Sequence, residues 1–234
     1  MSLIVKICGL STPETLAAAL DAGADMVGFV FFAPSPRNIS FATARTLGQA
    51  VKGRAKKVAL TVDADDATFA AIVEALAPDL LQLHGKEPPT RVAALKRRFG
   101  LPVMKAIAVE SKGDLAVVAD YAAVADRLLF DARPPRAATR PGGLGKAFDW
   151  RLLERLDVRV PFMLSGGLDA ENVGEALRIT RASAVDVSSG VERAPGHKDV
   201  GKIVAFVRAA RAAAARLPSS TPLPAGERSA RSAG

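Results

Sequence analysis

The sequence predicts an α/β protein folded as a single (β/α)8 barrel of the TIM type. Short apolar, β-prone runs alternate with longer alanine-rich amphipathic segments, and the alternation occurs eight times. No Gly-x-Gly-x-x-Gly turn opens the first unit, and no acidic residue ends the second run where a ribose would need one. Both absences argue against a doubly wound open sheet. No internal repeat appears beyond this rhythm, so a solenoid is not expected.

The first strand is read at Leu3–Cys8, where Gly9 breaks the run and a helical pattern follows over Thr12–Ala22. Ser11-Thr12-Pro13-Glu14 supplies a cap, a proline and an acid for that helix's first turn. The next strands fall at Met26–Phe31, Lys57–Val62, Asp79–Leu83, Pro102–Ile107, Arg127–Asp131, Val160–Ser165 and Ala184–Ser188, each followed by a helical pattern. After the Gly166-Gly167 turn, Asp169-Ala170-Glu171-Asn172 reads as another helix start. Between Asp131 and Trp150 lies a long Pro/Gly/Arg-rich loop, of a length that usually serves function. The barrel is expected to occupy 1–216, and the small, proline-rich stretch 217–234 is expected to be a disordered tail.

With 234 residues, 49% of them hydrophobic, the chain is large enough for one domain with a substantial core. It shows neither an apolar run long enough to span a bilayer nor a signal-peptide pattern, so a cytoplasmic protein without membrane partners is expected. The formal net charge of +8 is scattered, and one Trp and one Tyr give no stacking platform for single strands. A nucleic-acid partner is therefore not expected, and the charge is read as steering a small anion. One cysteine and two histidines exclude a Cys/His structural zinc site and an internal disulfide.

In such a barrel the chemistry sits at the C-terminal ends of the strands. Strand one ends in Cys8, four in Gln82-Leu83-His84-Gly85, six in Asp131, seven in Ser165-Gly166-Gly167, and eight in Asp186-Val187-Ser188-Ser189-Gly190. Small residues with free N–H groups after strands seven and eight make an anion site, so Gly166, Gly167, Ser188, Ser189 and Gly190 are read as holding a phosphate. Cys8 and Asp131, at opposite sides of the mouth, suit a base and an acid acting on two faces of one substrate. The period of two puts Lys6 on the face of Cys8 and Asp186 on that of Ser188, and closure makes strands one and eight neighbours. Lys6 and Asp186 are thus expected to pair, with Lys6 lowering the thiol's pKa. Arg37, after Pro36, suits a bidentate carboxylate contact. His84 is read as lining the binding site and not as the main base, and His197 is given no role.

These residues, taken in order, resemble a known family. Lys6-Ile7-Cys8-Gly9, Gly28-Phe29-Val30-Phe31 with Ser35-Pro36-Arg37, Leu81-Gln82-Leu83-His84-Gly85, Gly142-Gly143-Leu144-Gly145 with Phe148-Asp149-Trp150, Leu164-Ser165-Gly166-Gly167-Leu168, and Asp186 through Glu192 are similar in order and spacing to the phosphoribosylanthranilate isomerase family. The likeness covers about 3–210. It implies a cofactor-free Amadori rearrangement in tryptophan biosynthesis on a phosphorylated small molecule. In that scheme the Asp131 position protonates the furanose oxygen, the Cys8 position removes the C2′ proton, and the Arg37 position holds the anthranilate carboxylate. Leu144 departs from the small hydroxyl residue many relatives carry, and no contact is assigned to it. The strand-one thiol argues against indole-3-glycerol phosphate synthase and the histidine-pathway isomerases. A basic nucleic-acid-binding scaffold is the reading from another class. A monomer and a homodimer are both compatible with the sequence.

Overall fold

Eight parallel strands, β1 to β8, close into a barrel in which each strand pairs with its sequence neighbour and β8 returns to β1. They are β1 (Ile4–Cys8), β2 (Met26–Phe31), β3 (Lys56–Thr61), β4 (Leu80–Leu83), β5 (Val103–Val109), β6 (Arg127–Ala132), β7 (Phe162–Leu164) and β8 (Ala184–Val187). This computed structural model describes residues 3–133, 142, 147–154 and 156–217. All of the tail expected over 217–234 except Leu217, and most of the long loop, including 143–145, lie outside the described residues.

Helices α1 (Pro13–Asp21), α2 (Phe41–Val51), α3 (Asp66–Leu76), α4 (Pro89–Phe99), α5 (Val118–Ala122), α6 (Val173–Thr180) and α7 (Val200–Arg216) surround the barrel. Their starts follow local chemistry: Thr12, Ser40, Asp65 and Asp199 each accept a backbone N–H of the first turn. Three local differences from the sequence reading stand out. Among the described residues, β6 is followed only by a 3-10 turn at Trp150–Leu153 in place of an α-helix. The Asp169 carboxylate accepts the N–H groups of Glu171 and Asn172, so it closes a turn and α6 begins later, at Val173. A small hairpin, β9 (Glu192–Ala194) with β10 (His197–Lys198), is inserted before α7.

Two apolar layers hold the fold. The larger packs the outer wall of the strands against the helices, with Val5, Ile7, Phe29, Leu81, Phe130, Val185 and Phe206 fully buried. The smaller fills the barrel's interior with Met26, Val58, Leu80, Met104, Ala106, Leu129, Met163 and Ala184. Side chains alternate across a strand, so the positions two residues beyond this plug also face inward. Those positions include Gly28, Gln82, Asp131 and Asp186, with Lys6 and Cys8 from β1. The plug seals one end of the barrel and leaves a polar layer at the mouth.

The loop that carries His84 is tied from outside the barrel. Lys105 of β5 donates to Glu87 at 3.0 Å and to the carbonyls of Leu83 and Gly85 at 3.2 and 2.7 Å. Glu87 in turn accepts the N–H groups of Asp63 and Gly85 at 2.9 and 3.0 Å. Replacing Glu87 with Ala leaves a buried ammonium without its counter-charge and orphans two donors. We predict a loss of about 3 kcal/mol in denaturant unfolding, with Glu87→Gln losing less.

Candidate active site

The mouth is organised around a buried cation. Lys6 is fully buried in β1 and its Nζ donates to Asp186 Oδ1 at 2.8 Å, across the Lys6↔Asp186 register of β1 and β8. The expected pair is therefore present. Asp186 also accepts the Ser165 hydroxyl at 3.2 Å, so its side chain serves Lys6 and Ser165. Burial alone would push the ammonium down, yet Asp186 and the Cys8 thiol hold Lys6 above the ordinary lysine value.

Cys8 stands beside Lys6 on the inner face, nearly closed to solvent. Burial pushes its thiol up; Lys6 pulls it down, Asp186 pushes it up again, and Lys198 pulls it down. The outcome is a thiol above its ordinary value. Lys6 thus acts in the expected direction and lowers the thiol, but desolvation is larger. Gly28 leaves room for both groups, since a Cβ there would lie 2.8 Å from Sγ and 3.1 Å from Lys6 Nζ.

Across the mouth, Asp131 ends β6 with its carboxylate nearly buried. Oδ2 meets His84 Nε2 at 3.1 Å, and His84 Nδ1 meets the Gln82 amide nitrogen at 3.1 Å. Oδ1 accepts the N–H of Ala132 at 2.9 Å. Two glycines press on this carboxylate. A Cβ at Gly142 would lie 2.5 Å from Oδ2, and one at Gly166 would lie 2.9 Å from Oδ1. His84 thus contacts the acid directly, beyond the lining role the sequence suggested.

Arg37 is buried and makes a bidentate carboxylate contact, and the partner in the structure is a residue of the same chain. Nε and one Nη donate to the two oxygens of Glu192, each at 2.7 Å. Gly9 admits the arginine, since a Cβ there would lie 2.6 Å from its Cδ. Lys198, absent from the sequence reading, donates to Glu192 at 2.8 Å and to the carbonyl and hydroxyl of Ser188 at 2.8 and 3.1 Å. Burial pushes Lys198 down to about 8 against the pull of Glu192. Glu192 is held below the usual carboxylate range: burial opposes this, and Arg37 and Lys198 overcome it. The Ser188 hydroxyl donates to the Cys8 carbonyl at 3.1 Å, so it bridges β8 to β1. Arg37, Glu192 and Lys198 together carry one net positive charge beside the thiol. His197 is exposed, as expected.

The residues read as an anion site begin just past the end of β7. Gly166 and Gly167 both have positive φ, 87° and 67°, and their N–H groups donate to no protein group among the described residues. Consecutive backbone donors of this kind suit a phosphate. Gly190, in the 3-10 turn Ser189–Val191, packs so closely that a Cβ would lie 1.9 Å from the Leu168 carbonyl oxygen. Ser189 begins that turn, partly exposed beside it. Among the described residues no cluster of three His, Cys, Asp or Glu side chains could hold a metal ion.

The arrangement defines a class of protein: a TIM-barrel enzyme whose mouth combines a thiol, a carboxyl group, a cationic wall and a glycine pair with free N–H donors. Comparison with known proteins narrows it. Residues 5–209 match the family model of N-(5'phosphoribosyl)anthranilate (PRA) isomerase. An N-(5'-phosphoribosyl)anthranilate isomerase from Nitrobacter winogradskyi is 69% identical over 221 residues, covering 94% of this chain and 98% of the relative. The crystal structure of phosphoribosyl anthranilate isomerase from Thermotoga maritima superposes with a TM-score of 0.81 at 34% identity, covering 90% of this chain and 99% of the other. A crystal structure of the isomerase in complex with reduced 1-(o-carboxyphenylamino)-1-deoxyribulose 5-phosphate gives a TM-score of 0.76 at 32% identity, covering 90% and 99%. The chain belongs to the N-(5'-phosphoribosyl)anthranilate isomerase family, and it is an isomerase.

The electrostatics at Cys8 yield a prediction of sign. A thiol held up by burial and by Asp186 loses its proton above the ordinary cysteine range, and with a single cysteine the thiolate absorbance follows one group. Lys6→Met should move that midpoint further up, and Asp186→Asn should move it down. Identical titrations for wild type and Lys6→Met would remove the electrostatic role of the lysine.

Proposed function

We propose that this chain converts N-(5-phosphoribosyl)anthranilate to 1-(2-carboxyphenylamino)-1-deoxyribulose 5-phosphate, with Asp131 as general acid and Cys8 as general base. The observation that carries the reading is the placement of these two groups on opposite walls of one mouth, with the Gly166-Gly167 donors between them along the barrel rim. Asp131 gives its proton to the furanose oxygen as the C1′–O bond breaks, and the amine lone pair forms the C1′=N double bond. Cys8, acting through the thiolate that Lys6 favours against burial, then takes the C2′ proton, and the electrons of that bond flow toward the nitrogen to give the enolamine. Relaxation to the C2′ ketone completes the rearrangement. The ligand held by one of the relatives carries a carboxylate and a phosphate, which matches the two cationic or donor-rich ends of this site.

Positioning two proton-transfer groups about one bound sugar is the main catalytic device, and no cofactor enters the scheme. The phosphate is assigned to the N–H groups of Gly166 and Gly167 with the turn at Ser189 and Gly190. The anthranilate carboxylate is assigned to the Arg37 cluster, whose net positive charge survives the pairing with Glu192 because Lys198 offsets it. Asp186 and Ser188 support the site from beneath, through Lys6 and the Cys8 carbonyl. The same reading makes the partner a small phosphorylated molecule and not a nucleic acid, and the protein a cytoplasmic monomer or homodimer. Among the described residues no helix is long and apolar enough to cross a membrane.

Turnover of phosphoribosylanthranilate generated in situ, followed by loss of its fluorescence, tests the assignment. Cys8→Ala and Asp131→Ala should each lower kcat by at least about 100-fold with little rise in KM, the range expected for a positioned proton transfer. Near-normal kcat in either variant would remove that residue from the chemistry. Arg37→Ala should raise KM with a smaller effect on kcat, and an unchanged KM would contradict the carboxylate assignment.

A further inference from the structure

Gln82 is fully buried at the end of β4, where an apolar residue would continue the interior plug. Its amide nitrogen lies 3.1 Å from His84 Nδ1, while its carbonyl oxygen is buried with no hydrogen-bond partner among the described residues. An orphaned buried carbonyl is unfavourable. The amide is therefore held there for its N–H and not for its oxygen. A donor aimed at Nδ1 requires a lone pair on that nitrogen, which leaves the ring proton of a neutral imidazole on Nε2. Nε2 faces Asp131 Oδ2 at 3.1 Å, so Nε2–H donates to the carboxylate. The opposite amide orientation would make Nε2 an acceptor, which offers no hydrogen bond to the carboxylate that forms once Asp131 has given up its proton.

We propose that Gln82 is a positioning residue for the acid: through His84 it commits a lone pair of Asp131 Oδ2 to an N–H donor, so that the imidazole does not compete for the proton Asp131 transfers. This inference rests on Asp131 acting as the general acid. His84 in this scheme neither takes nor gives a proton. It donates Nε2–H to Oδ2 throughout, and that bond, with the Ala132 N–H on Oδ1, stabilises the carboxylate formed when the proton passes to the substrate. The proton count of the imidazole is the same before and after the step.

The chain has two histidines, and His197 is exposed on the hairpin, so nitrogen NMR of the imidazoles reads His84 without ambiguity. At neutral pH the wild-type protein should show His84 Nδ1 unprotonated and Nε2 protonated. Gln82→Glu, which replaces the donor with an acceptor, should move the proton to Nδ1. Gln82→Met, of similar volume and without a donor, should lower kcat about 10- to 100-fold with KM within a few fold, a part of what a positioned proton transfer contributes. A wild-type His84 protonated on Nδ1 would overturn the proposal, as would full kcat in Gln82→Met. If Gln82→Met fails to fold, the wild-type tautomer alone decides. Failure of the Asp131 assignment itself is separate: it appears as full activity in Asp131→Ala, whatever the tautomer.

Discussion

One buried ion pair governs the mouth of this barrel. A fully desolvated ammonium at Lys6 is tolerable only with a counter-charge in contact, and closure of β8 onto β1 delivers Asp186 to it at 2.8 Å. The pair fixes the register of the seam, since a one-residue slip would turn either group out of the interior. It also sets the electrostatics of Cys8, because the ammonium favours the thiolate while Asp186 and burial favour the thiol. Removing one partner of such a pair costs about 3–5 kcal/mol, so fold and chemistry are linked at the same atoms.

Around that seam, two networks converge on one opening from different strands. Lys198 joins Glu192 to Ser188, and Ser188 reaches the Cys8 backbone, so the cationic wall and the thiol are parts of one framework. On the far wall, β4 supports the carboxyl group of β6 through His84. The glycines at 142 and 166 close in on that carboxylate where any larger residue would collide. The carboxylate is thereby shielded from bulk water, and the thiol is more deeply buried still. The proton transfers proposed for these two groups would proceed in a site of low dielectric with fixed partners.

Much of this was legible in the sequence because barrel geometry is repetitive. The alternation of runs placed all eight strands within a few residues, and strand-end logic singled out Cys8, Asp131 and the Gly166-Gly167 turn without coordinates. Period two and closure sufficed to pair Lys6 with Asp186, two residues 180 positions apart. What escaped depends on side-chain reach. Nothing local in Arg37 announces that Glu192, 155 residues away, will take its guanidinium, and Lys198 reads as an ordinary lysine before a helix. A buried glutamine on an inward strand position was the available signal for the His84 contact, because a polar side chain there needs a reason. The later start of α6 reflects the capping contacts of Asp169, which propensity does not resolve.

The proposed chemistry requires one sugar to be gripped between a thiol and a carboxyl group. The most direct measurement is a crystal structure of this protein with a reduced, unreactive analogue of the rearranged product. The phosphate should accept the N–H groups of Gly166 and Gly167, and C2′ should lie about 3–3.5 Å from Cys8 Sγ. Asp131 should approach the chain from the opposite face, with the aryl carboxylate beside the Arg37 cluster. A ligand bound the other way round, or one that leaves Cys8 or Asp131 out of contact with the sugar, would contradict it.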